Sequence, residues 1–465
     1  MLIQFKNIMK NEQKPISRRD FLGLSALGLA GLTILPSWSI NGVRIPPSDR
    51  VVLGFIGLGR QGISDFQSAS AGPGVQVAAG SDVDSMKRDR FCKVVSDWRK
   101  ASNISGSGRC MQYEFYEDLL ERKDIDAISI ATPDHWHALT TINACQSGKD
   151  VYCQKPLSYT IAESLAMVKA VRDNKRVLQV GSQQRSAPEF QKAIFLVRNG
   201  AIGHIDTVNV RIGDPPTPFD LPEFPVPDNL NFNQWLGPLN SPVVHYNPDI
   251  CPPIAPPDMQ ETGDWGRWRY YRETGNGFTG DWGAHMFDIA QVALGMDGSG
   301  PIEFIPKGYN GAEYSTMKYA NGIVMTESPF RDDKPDDKGV RFNGDKGWIK
   351  VARGYIDCSD PSLLEKSTKN SAGGDTEGTG SDYVKNPGHM QNFIDCVRSR
   401  QKPIAPVEAG CSTNILCCLV NIAHELQRPV RWDPATVSFV NDKEAEAHRL
   451  YWYQYRKPYT LPYWG

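Results

Sequence analysis

Lys155, Asp281 and His285 are the residues of this chain whose types and spacing could support proton transfer. Asp281 and His285 are four residues apart, so on a helix they share one face. A carboxylate in that position can orient the imidazole and stabilise its charged form, which makes the ring a general base. Lys155 follows a short apolar run and precedes a proline, a pattern that predicts an ammonium group at the end of a strand.

Each of these residues also has an ordinary structural interpretation. Asp281 could cap a helix while His285 belongs to the core, and a lysine in a turn is commonly solvated. Asp288 could join the aspartate and the histidine as a metal ligand. Because no further ligand lies near them in the sequence, we predict no metal site. The residues alone leave the catalytic and the structural interpretations open.

A glycine motif supplies a more specific signal. Gly57-Leu58-Gly59-Arg60-Gln61-Gly62 follows an apolar run and opens a predicted helix. Gly57 permits a tight turn, Gly59 lets backbone approach a pyrophosphate, and Gly62 lets the helix pack on the strand, while the helix N-terminus favours phosphate. Asp82, 20 residues after Gly62, can accept hydrogen bonds from a ribose. We predict a dinucleotide site with NAD as the cofactor. NADP stays open because Arg60 or Lys87 could meet a 2′-phosphate.

Two further segments follow predicted strands. Ala131-Thr132-Pro133-Asp134-His135-Trp136-His137 begins a helix, so its backbone can lie along a dinucleotide. Val180-Gly181-Ser182-Gln183-Gln184-Arg185 follows the last strand of the series. Ligands of parallel sheets bind beyond the carboxyl ends of the strands, so both segments are candidates for the site. Each could instead be an ordinary surface turn.

The elements that must position these residues alternate between strand and helix. Strand-like runs lie at 51–56, 75–80, 127–131, 151–153 and 177–180, with helix-like runs at 116–122, 135–146 and 161–174. This order is typical of a doubly wound parallel sheet. Beyond residue 188 the pattern predicts antiparallel strands, with helices at 389–398 and 407–426. We therefore predict a dinucleotide-binding domain at 50–185, a second α/β domain for substrate and oligomer contacts at 186–440, and a tail at 441–465.

Residues 1–40 predict an export signal rather than part of the fold. Ser17-Arg18-Arg19-Asp20-Phe21-Leu22 is a twin-arginine signature, and an apolar segment too short for a comfortable membrane span follows it. We expect a periplasmic protein that is exported folded, with its cofactor inside and no membrane span after signal removal. The alternative is a cytosolic protein with a chance arginine pair.

The composition excludes some classes of partner. The 51 Lys and Arg residues nearly balance the 53 Asp and Glu residues, and no basic stripe predicts nucleic-acid binding. Ten cysteines in an exported chain could form disulfides. Cys417 and Cys418 are adjacent in a predicted helix, where neighbouring side chains diverge. Buried free thiols are therefore favoured, and the pairing stays open.

Taken together, the motifs resemble the Gfo/Idh/MocA oxidoreductase family. The resemblance rests on Gly57–Gly62, Asp82, the Thr132-Pro133 turn with His137, the Lys155-Pro156 pair and the Asp281/His285 spacing. It covers the chain from about residue 51 to the C-terminus. It implies an N-terminal Rossmann sheet, a C-terminal open antiparallel sheet with helices, and a site between the two domains. It also implies a nicotinamide cofactor, a small carbohydrate substrate and a homo-oligomer, a dimer or a tetramer.

The resemblance also implies roles for individual residues. Lys155 would hydrogen-bond the reacting hydroxyl and stabilise its oxygen, and His285 would be the base, with Asp281 beside it. The cofactor would contact Gly57, Gly59, Arg60, Gln61, Gly62, Asp82, Thr132, Pro133, His137, Lys155 and Gln183. The substrate would contact Lys155, Arg185, Arg269, Asp281, Trp282 and His285. One position departs from the family, which usually has Glu where this chain has Gln154, so a negative charge beside Lys155 is lost.

Three functions follow from these observations. The first is a periplasmic NAD(P)-dependent oxidoreductase that acts on the CH–OH group of a sugar, glycoside or polyol. The second is an NAD-dependent, redox-assisted glycosidase, as in one branch of the family. The third is a non-catalytic sugar or dinucleotide binder, against which the intact Lys155, Asp281 and His285 argue.

Overall fold

A computed structural model of the chain describes residues 50–464 except 103, 105–107, 256–259, 262–264, 331–337 and 365–387. It also describes two short antiparallel strands, β1 (Trp38–Ile40) and β2 (Val43–Ile45). The predicted twin-arginine signature lies outside the described residues. In the part of the chain that the structure describes, no helix is both long and apolar enough to span a membrane.

The first domain is built on a six-stranded parallel sheet. Its strands are β3 (Val51–Ile56), β4 (Val75–Ser81), β5 (Met111–Tyr113), β6 (Ala127–Ile130), β7 (Asp150–Cys153) and β8 (Leu178–Val180). They lie in the order β5-β4-β3-β6-β7-β8, and every neighbouring pair is parallel. The predicted doubly wound sheet is thereby confirmed. The strand order reverses between β3 and β6, and this is the point where such sheets bind ligands.

Helices cover both faces of this sheet, which explains why its strands are apolar almost throughout. They are α1 (Arg60–Ser70), α2 (Ser85–Ala101), α3 (Tyr116–Leu120), α4 (Asp134–Gln146) and α5 (Ile161–Asp173). Local sequence fixes where several of them begin. Asp84 caps α2 by accepting a hydrogen bond from the Met86 N–H at 2.9 Å. Thr160 and Glu163 form a reciprocal capping box at the start of α5.

The second domain is built on a nine-stranded mixed sheet. Its strands are β9 (Ile205–Arg211), β12 (Glu303–Ile305), β13 (Thr316–Lys318), β14 (Val324–Glu327), β15 (Gly339–Gly344), β16 (Gly347–Ala352), β17 (Tyr355–Cys358), β18 (Val430–Asp433) and β19 (Ser438–Phe439). The order is β17-β16-β15-β9-β14-β13-β12-β18-β19. The predicted antiparallel pairing is confirmed except between β9 and β14, which are parallel. A separate pair joins β10 (Ile254–Ala255) to β11 (Gln260–Glu261).

The helices of the second domain include one that returns to the first. They are α6 (Pro188–Arg198), α7 (Phe232–Leu236), α8 (Gly277–Asp281), α9 (Gly283–Ala293), α10 (His389–Ser399), α11 (Val407–Leu426) and α12 (Lys443–Glu446). Every residue of α9 is buried. Phe393 and Ile394 of α10 belong to the same apolar cluster as Leu53 and Phe55 of β3. Helix α10 therefore packs on the Rossmann sheet although it lies far along the chain.

The ten cysteines are all unpaired thiols, and nine of them are buried. Cys417 and Cys418 lie next to each other on α11, inside the core. The structure agrees with the expectation of buried free thiols. Burial raises the pKa of Cys145 and Cys153 to about 12, so these thiols stay protonated.

Candidate active site

The glycine loop between β3 and α1 leaves no space for a side chain at positions 57 and 62. Gly57 has a φ of +83°, and a β-carbon there would lie 2.6 Å from the carbonyl carbon of Ala131. A β-carbon on Gly62 would lie 2.1 Å from the Gly57 carbonyl oxygen. Gly59 precedes α1 and offers no side-chain cap, and the first turn of a helix favours an anion. This loop has the form of a pyrophosphate cradle.

Asp82 ties the end of β4 to the glycine loop. Its Oδ2 accepts a hydrogen bond from the Leu58 N–H at 2.7 Å, and its Oδ1 accepts one from the Asp84 N–H at 2.9 Å. Burial raises the pKa of Asp82, while the charge of Lys87 and the two hydrogen bonds oppose the shift. Asp82 also lines the cleft, together with Arg60 and Lys87. The predicted ribose contact is thus placed beside the predicted phosphate contact.

The turn after β6 forms another wall of the cleft near the glycine loop. Thr132 and Pro133 line the cleft as predicted. Thr132 Oγ1 is buried and has no hydrogen-bond partner within the described residues. Buried hydroxyl groups are normally satisfied, so an unpaired one beside a cleft is available to a ligand. Gln183 lines the same cleft and donates a hydrogen bond to the Tyr152 hydroxyl at 3.2 Å.

Lys155 and Asp281 form an ion pair across the cleft. Lys155 lies just beyond the end of β7, and Asp281 is the last residue of α8 in the second domain. The ammonium pairs with Asp281 Oδ1 and also donates to the Asp281 carbonyl oxygen at 3.2 Å. Arg269 Nε lies 3.7 Å from the same Oδ1. Burial would raise the pKa of Asp281, but the charges of Lys155 and Arg269 outweigh it and lower the pKa to about 2.

The structure corrects the expected relation between Asp281 and His285. They were expected to share one helix, with the carboxylate orienting the imidazole. The His285 N–H instead bonds to the Trp282 carbonyl at 3.0 Å, so the chain turns at Trp282 and divides α8 from α9. Among the described residues, no hydrogen bond joins the carboxylate to the ring. The carboxylate is held by Lys155 because an ammonium attracts it more strongly than a neutral ring does.

His285 is a neutral, enclosed imidazole at the cleft wall. It is 5% exposed, and its Nδ1 is buried without a hydrogen-bond partner in the part of the chain that the structure describes. Burial lowers its pKa well below the usual value, and the charges of Lys155 and Arg353 add to this effect, while Asp281 opposes it. A neutral ring can accept a proton, so the expected base chemistry is available in this form.

One continuous cleft of about 1380 Å³ joins the glycine loop to the Lys155–Asp281 pair. The predicted residues that line it are Gly57, Gly59, Arg60, Gln61, Asp82, Thr132, Pro133, Lys155, Gln183, Arg269, Asp281, Trp282 and His285. The first domain contributes the dinucleotide cradle and the ammonium, and the second contributes the carboxylate and the imidazole. Each domain alone would hold an incomplete site.

Two family models match most of the chain. Residues 51–182 match the oxidoreductase family with an NAD-binding Rossmann fold, Gfo/Idh/MocA, and residues 218–461 match the C-terminal alpha/beta domain of that family. The chain belongs to the Gfo/Idh/MocA oxidoreductase family. The predicted resemblance is thereby confirmed, and residues 51–182 form the NAD-binding Rossmann domain of this oxidoreductase family.

Curated Gfo/Idh/MocA relatives match over part of their length. An uncharacterized oxidoreductase, YrbE, of Bacillus subtilis is 33% identical over 173 residues, which is 36% of this chain and 46% of the relative. A glycosyl hydrolase family 109 protein of Shewanella pealeana is 31% identical over 208 residues, 41% of this chain and 44% of the relative. The matched stretch therefore spans less than half of the length of either protein.

Solved structures share the fold at low sequence identity. An aldose-aldose oxidoreductase from Caulobacter crescentus has a TM-score of 0.53 at 16% identity, and the match covers 82% of this chain and 99% of that one. A levoglucosan dehydrogenase in complex with NADH also has a TM-score of 0.53 at 16% identity, with 84% and 100% covered. These similarities show the fold common to the Gfo/Idh/MocA family.

The structure places Arg185 outside the cleft, although a substrate contact was predicted for it. It is 3% exposed and does not line the cleft. Its guanidinium donates two hydrogen bonds to Asp288, at 2.7 and 2.6 Å, and two to Asp297, at 3.0 and 2.7 Å. Two carboxylates on the core side hold the side chain away from the cleft. The same contacts show the role of Asp288. Its carboxylate is a counter-charge for Arg185 and is not placed with His285 as a metal ligand.

His137 is also placed behind the cleft rather than in it. It is 1% exposed, its Nδ1 lies 2.8 Å from the Pro156 carbonyl oxygen, and its Nε2 lies 3.0 Å from the Thr132 carbonyl oxygen. Burial lowers its pKa to about 4, although these hydrogen bonds oppose the shift. The ring lies between the carbonyl oxygens of the two turns that do line the cleft, and in its neutral form it donates to one of them. The predicted direct contact with the cofactor is not supported by this placement.

Gln154, the departure from the family pattern, contacts a carboxylate that the sequence analysis missed. Its Nε2 donates to Asp65 Oδ1 at 2.8 Å, and Gln61 Nε2 donates to the same oxygen at 2.8 Å. Asp65 lies on α1, is 2% exposed and lines the cleft. A carboxyl group is thus present beside position 154 although residue 154 itself has none. Helical spacing could have found it, because Asp65 shares the buried face of α1 with Gly62 and Ala69.

Replacing Asp65 with asparagine is expected to flatten the pH dependence of stability. Burial raises the pKa of Asp65 to about 7, with the hydrogen bonds from Gln61 and Gln154 opposing it. The folded protein then keeps a proton that the unfolded chain has lost. The stability linked to this proton is complete below about pH 4 and is lost as the pH rises to about 7, a loss of about 4 kcal/mol.

Urea unfolding at a series of pH values measures this effect. The free energy of unfolding of Asp65→Asn should decrease less between about pH 4 and about pH 7 than that of the parent protein. Asp173, whose side chain is 46% exposed, provides a surface control as Asp173→Asn. Identical pH profiles for Asp65→Asn and the parent protein would contradict the assignment.

Three contacts between an arginine and a tryptophan ring also escaped the sequence analysis. Arg353, in the turn between β16 and β17, places its guanidinium 4.6 Å from the ring centre of Trp282. Trp265 lies 5.5 Å from the guanidinium of Arg60 and 5.5 Å from that of Arg269. Through Trp265 the glycine loop contacts the second domain over the cleft. No local pattern predicts the contacts of Arg353 with Trp282 and of Arg60 with Trp265, because these partners are far apart in sequence.

Proposed function

We propose that this protein is an exported oxidoreductase that transfers a hydride between a hydroxyl-bearing carbon of a carbohydrate and a tightly bound nicotinamide cofactor. The observation that carries the proposal is that Lys155, Asp281 and His285 line the same cleft as the glycine loop. A dinucleotide cradle, a cation and a proton acceptor in one cleft are what alcohol oxidation requires. The substrate is a sugar, a glycoside or a polyol.

The part of the cleft that the first domain lines fits a dinucleotide. Positions 57 and 62 leave no space for a β-carbon, and Thr132 Oγ1 lacks a partner among the described residues. Gly57, Gly59 and Thr132 would hold the pyrophosphate, and Asp82 would bind the ribose hydroxyls, which favours NAD over NADP. The nicotinamide, when bound, supplies a hydride acceptor or donor.

Proton transfer and charge stabilisation are assigned to Lys155, Asp281 and His285. Lys155 hydrogen-bonds the reacting oxygen and stabilises the negative charge that develops on it. Asp281 holds the ammonium in position through their ion pair. His285 accepts the hydroxyl proton at Nε2, because its Nδ1 is enclosed. The ring begins neutral, since its pKa is lowered by burial and then by the charges of Lys155 and Arg353.

The carbohydrate class is supported by the composition of the cleft wall. Trp268, Tyr270 and Trp282 line the cleft beside the charged groups, so it offers flat apolar faces together with hydrogen-bond donors. Ligand sites commonly combine such apolar walls with a few placed polar groups. The names of two proteins that share the fold, an aldose-aldose oxidoreductase and a levoglucosan dehydrogenase, agree with this class.

A redox-assisted glycosidase is the second candidate, favoured by the relatives named as glycosyl hydrolase family 109 proteins. In that reaction, oxidation at C3 of the sugar acidifies the proton on C2. Loss of this proton eliminates the substituent on C1, water then adds, and the ketone is reduced again. Both candidates share the first oxidation, so Lys155 and His285 keep the same roles.

Export and assembly belong to the same proposal. The arginine pair at positions 18 and 19 and the apolar run after it favour transport of the folded protein to the periplasm. Free dinucleotide is scarce there, so the cofactor would be retained and recycled by a second substrate. The family resemblance favours a homo-oligomer, a dimer or a tetramer.

Incubation with an aryl glycoside separates the two candidates. We expect the purified full-length chain to release stoichiometric NAD(H) on denaturation, detected by mass spectrometry. Addition of a glycoside should change the absorbance of the bound nicotinamide without release of phenol. Phenol release without net redox change would favour the glycosidase. Absence of both a bound dinucleotide and a change in absorbance would contradict both candidates.

A further inference from the structure

Three cationic side chains and one carboxylate surround the reacting end of the cleft. Lys155, Arg269, Arg353 and Asp281 all line it. Lys155 is ion-paired with Asp281 Oδ1, and Arg269 Nε approaches the same oxygen at 3.7 Å. Two cations therefore share one negative charge, and Arg353 lies outside that arrangement.

Arg353 is held by stacking and not by an ion pair. Its guanidinium lies over the ring of Trp282. Within the described part of the chain, no carboxylate oxygen lies within 4.0 Å of its nitrogen atoms. Glu189 lines the same cleft, but its Oε1 accepts a hydrogen bond from the neighbouring Gly354 N–H at 2.9 Å. The stacked guanidinium therefore keeps its hydrogen-bond donors for another partner.

The other titratable groups at the reacting end of the cleft do not neutralise its three cations. Asp134 is 3% exposed, and burial raises the pKa of its carboxyl group well above the usual range, which favours its neutral form. His285 is neutral because burial lowers its pKa. Even when Asp281 and Glu189 are both counted against the three cations, the reacting end of the cleft carries an excess positive charge.

We propose that the substrate is an acidic carbohydrate whose anionic group binds Arg353 while its ring lies against Trp282. This inference rests on the proposed function and names its substrate class. The planar guanidinium forms paired hydrogen bonds with a carboxylate or with a phosphate ester. Arg353 is exposed at the cleft wall, so an anion can reach its guanidinium from solution, and charge-assisted hydrogen bonds then contribute to affinity. Positive potential in the cleft also speeds the encounter with an anion.

A matched set of glycosides tests the charge requirement. Methyl glucoside, methyl glucuronide and methyl glucoside 6-phosphate differ only at C6, so they vary the charge while the ring stays constant. We expect one of the two anionic compounds to bind at least about tenfold more tightly than the neutral one in isothermal titration calorimetry of the holoprotein. The two anionic compounds distinguish a carboxylate from a phosphate as the recognised group.

Two arginine variants test whether Arg353 causes the difference in affinity between acidic and neutral glycosides. Arg353→Gln should lower the ratio of acidic to neutral affinity by about tenfold. Arg341→Gln is the matched control, because Arg341 also stacks on a tryptophan, 4.4 Å from the ring centre of Trp348, but does not line the cleft. The control should keep the parent ratio.

The outcomes separate this inference from the proposed function. Neutral glycosides that bind as tightly as both acidic ones would overturn the inference, even if the bound nicotinamide is reduced. The same holds if Arg353→Gln keeps the parent ratio. Tight, Arg353-dependent binding of an acidic sugar without any change in the nicotinamide would support the inference and contradict the proposed hydride transfer.

Discussion

Replacing Lys155 with methionine will lower kcat by about 10³-fold while the protein keeps its bound dinucleotide. Methionine retains the apolar stem but removes the ammonium that pairs with Asp281 and faces the cleft. The reacting oxygen then develops its charge without a compensating cation. Turnover of the best glycoside, with bound NAD(H) measured in the same sample, separates a loss of chemistry from a loss of cofactor.

A surface lysine provides the control for this experiment. Lys93 also pairs with an aspartate, Asp97, at 2.7 Å, but its side chain is 71% exposed. Lys93→Met should retain the parent kcat. If Lys155→Met turned over as fast as Lys93→Met, the ammonium would have no catalytic role, and the proposed mechanism would be wrong.

Replacing Arg185 with methionine will lower the free energy of unfolding by about 3 to 5 kcal/mol. The substitution leaves Asp288, 1% exposed, as a buried carboxylate without its counter-charge. It also removes the two hydrogen bonds to Asp297. Urea unfolding followed by tryptophan fluorescence measures the change.

The loss in the free energy of unfolding should come from the buried carboxylate left unpaired, and not from removing an arginine in general. Arg172→Met removes the exposed ion pair with Glu408, at 3.1 Å, and should cost less than about 1 kcal/mol. A second change, Asp288→Asn, should restore part of the stability lost in Arg185→Met, because the unpaired charge is gone. Equal stability of Arg185→Met and Arg172→Met would show that the buried pair is not required.

The dinucleotide half of the site could be predicted because its signals are local. Gly57, Gly62 and Asp82 follow directly on the strands that place them, and a parallel sheet brings the ends of its strands to one edge. Lys155 obeys the same rule, since it follows β7 and lies in the cleft. Five of the six Rossmann strands could be predicted from apolar runs for the same reason, whereas the short β5 and several strands of the second domain were missed.

The errors at Arg185 and His137 have one physical cause. Strand order places a residue at the correct edge of the sheet, but it does not show whether the side chain faces the cleft or the core. Arg185 faces the core because Asp288 and Asp297, 103 and 112 residues further along the chain, supply its counter-charges. His137 is turned by the carbonyl of Pro156, 19 residues away. Only the tertiary fold specifies these partners.

The central claim is that a carbohydrate carbon gives its hydride to a nicotinamide held in the cleft. Glycosides deuterated at their ring carbons, incubated with the purified protein, test this claim directly. After denaturation, mass spectrometry of the released dinucleotide should show a single deuterium on the nicotinamide with the parent protein and none with Lys155→Met. An unlabelled dinucleotide, recovered from the parent protein after a single turnover that leaves the glycoside oxidised to the ketone, would contradict the claim.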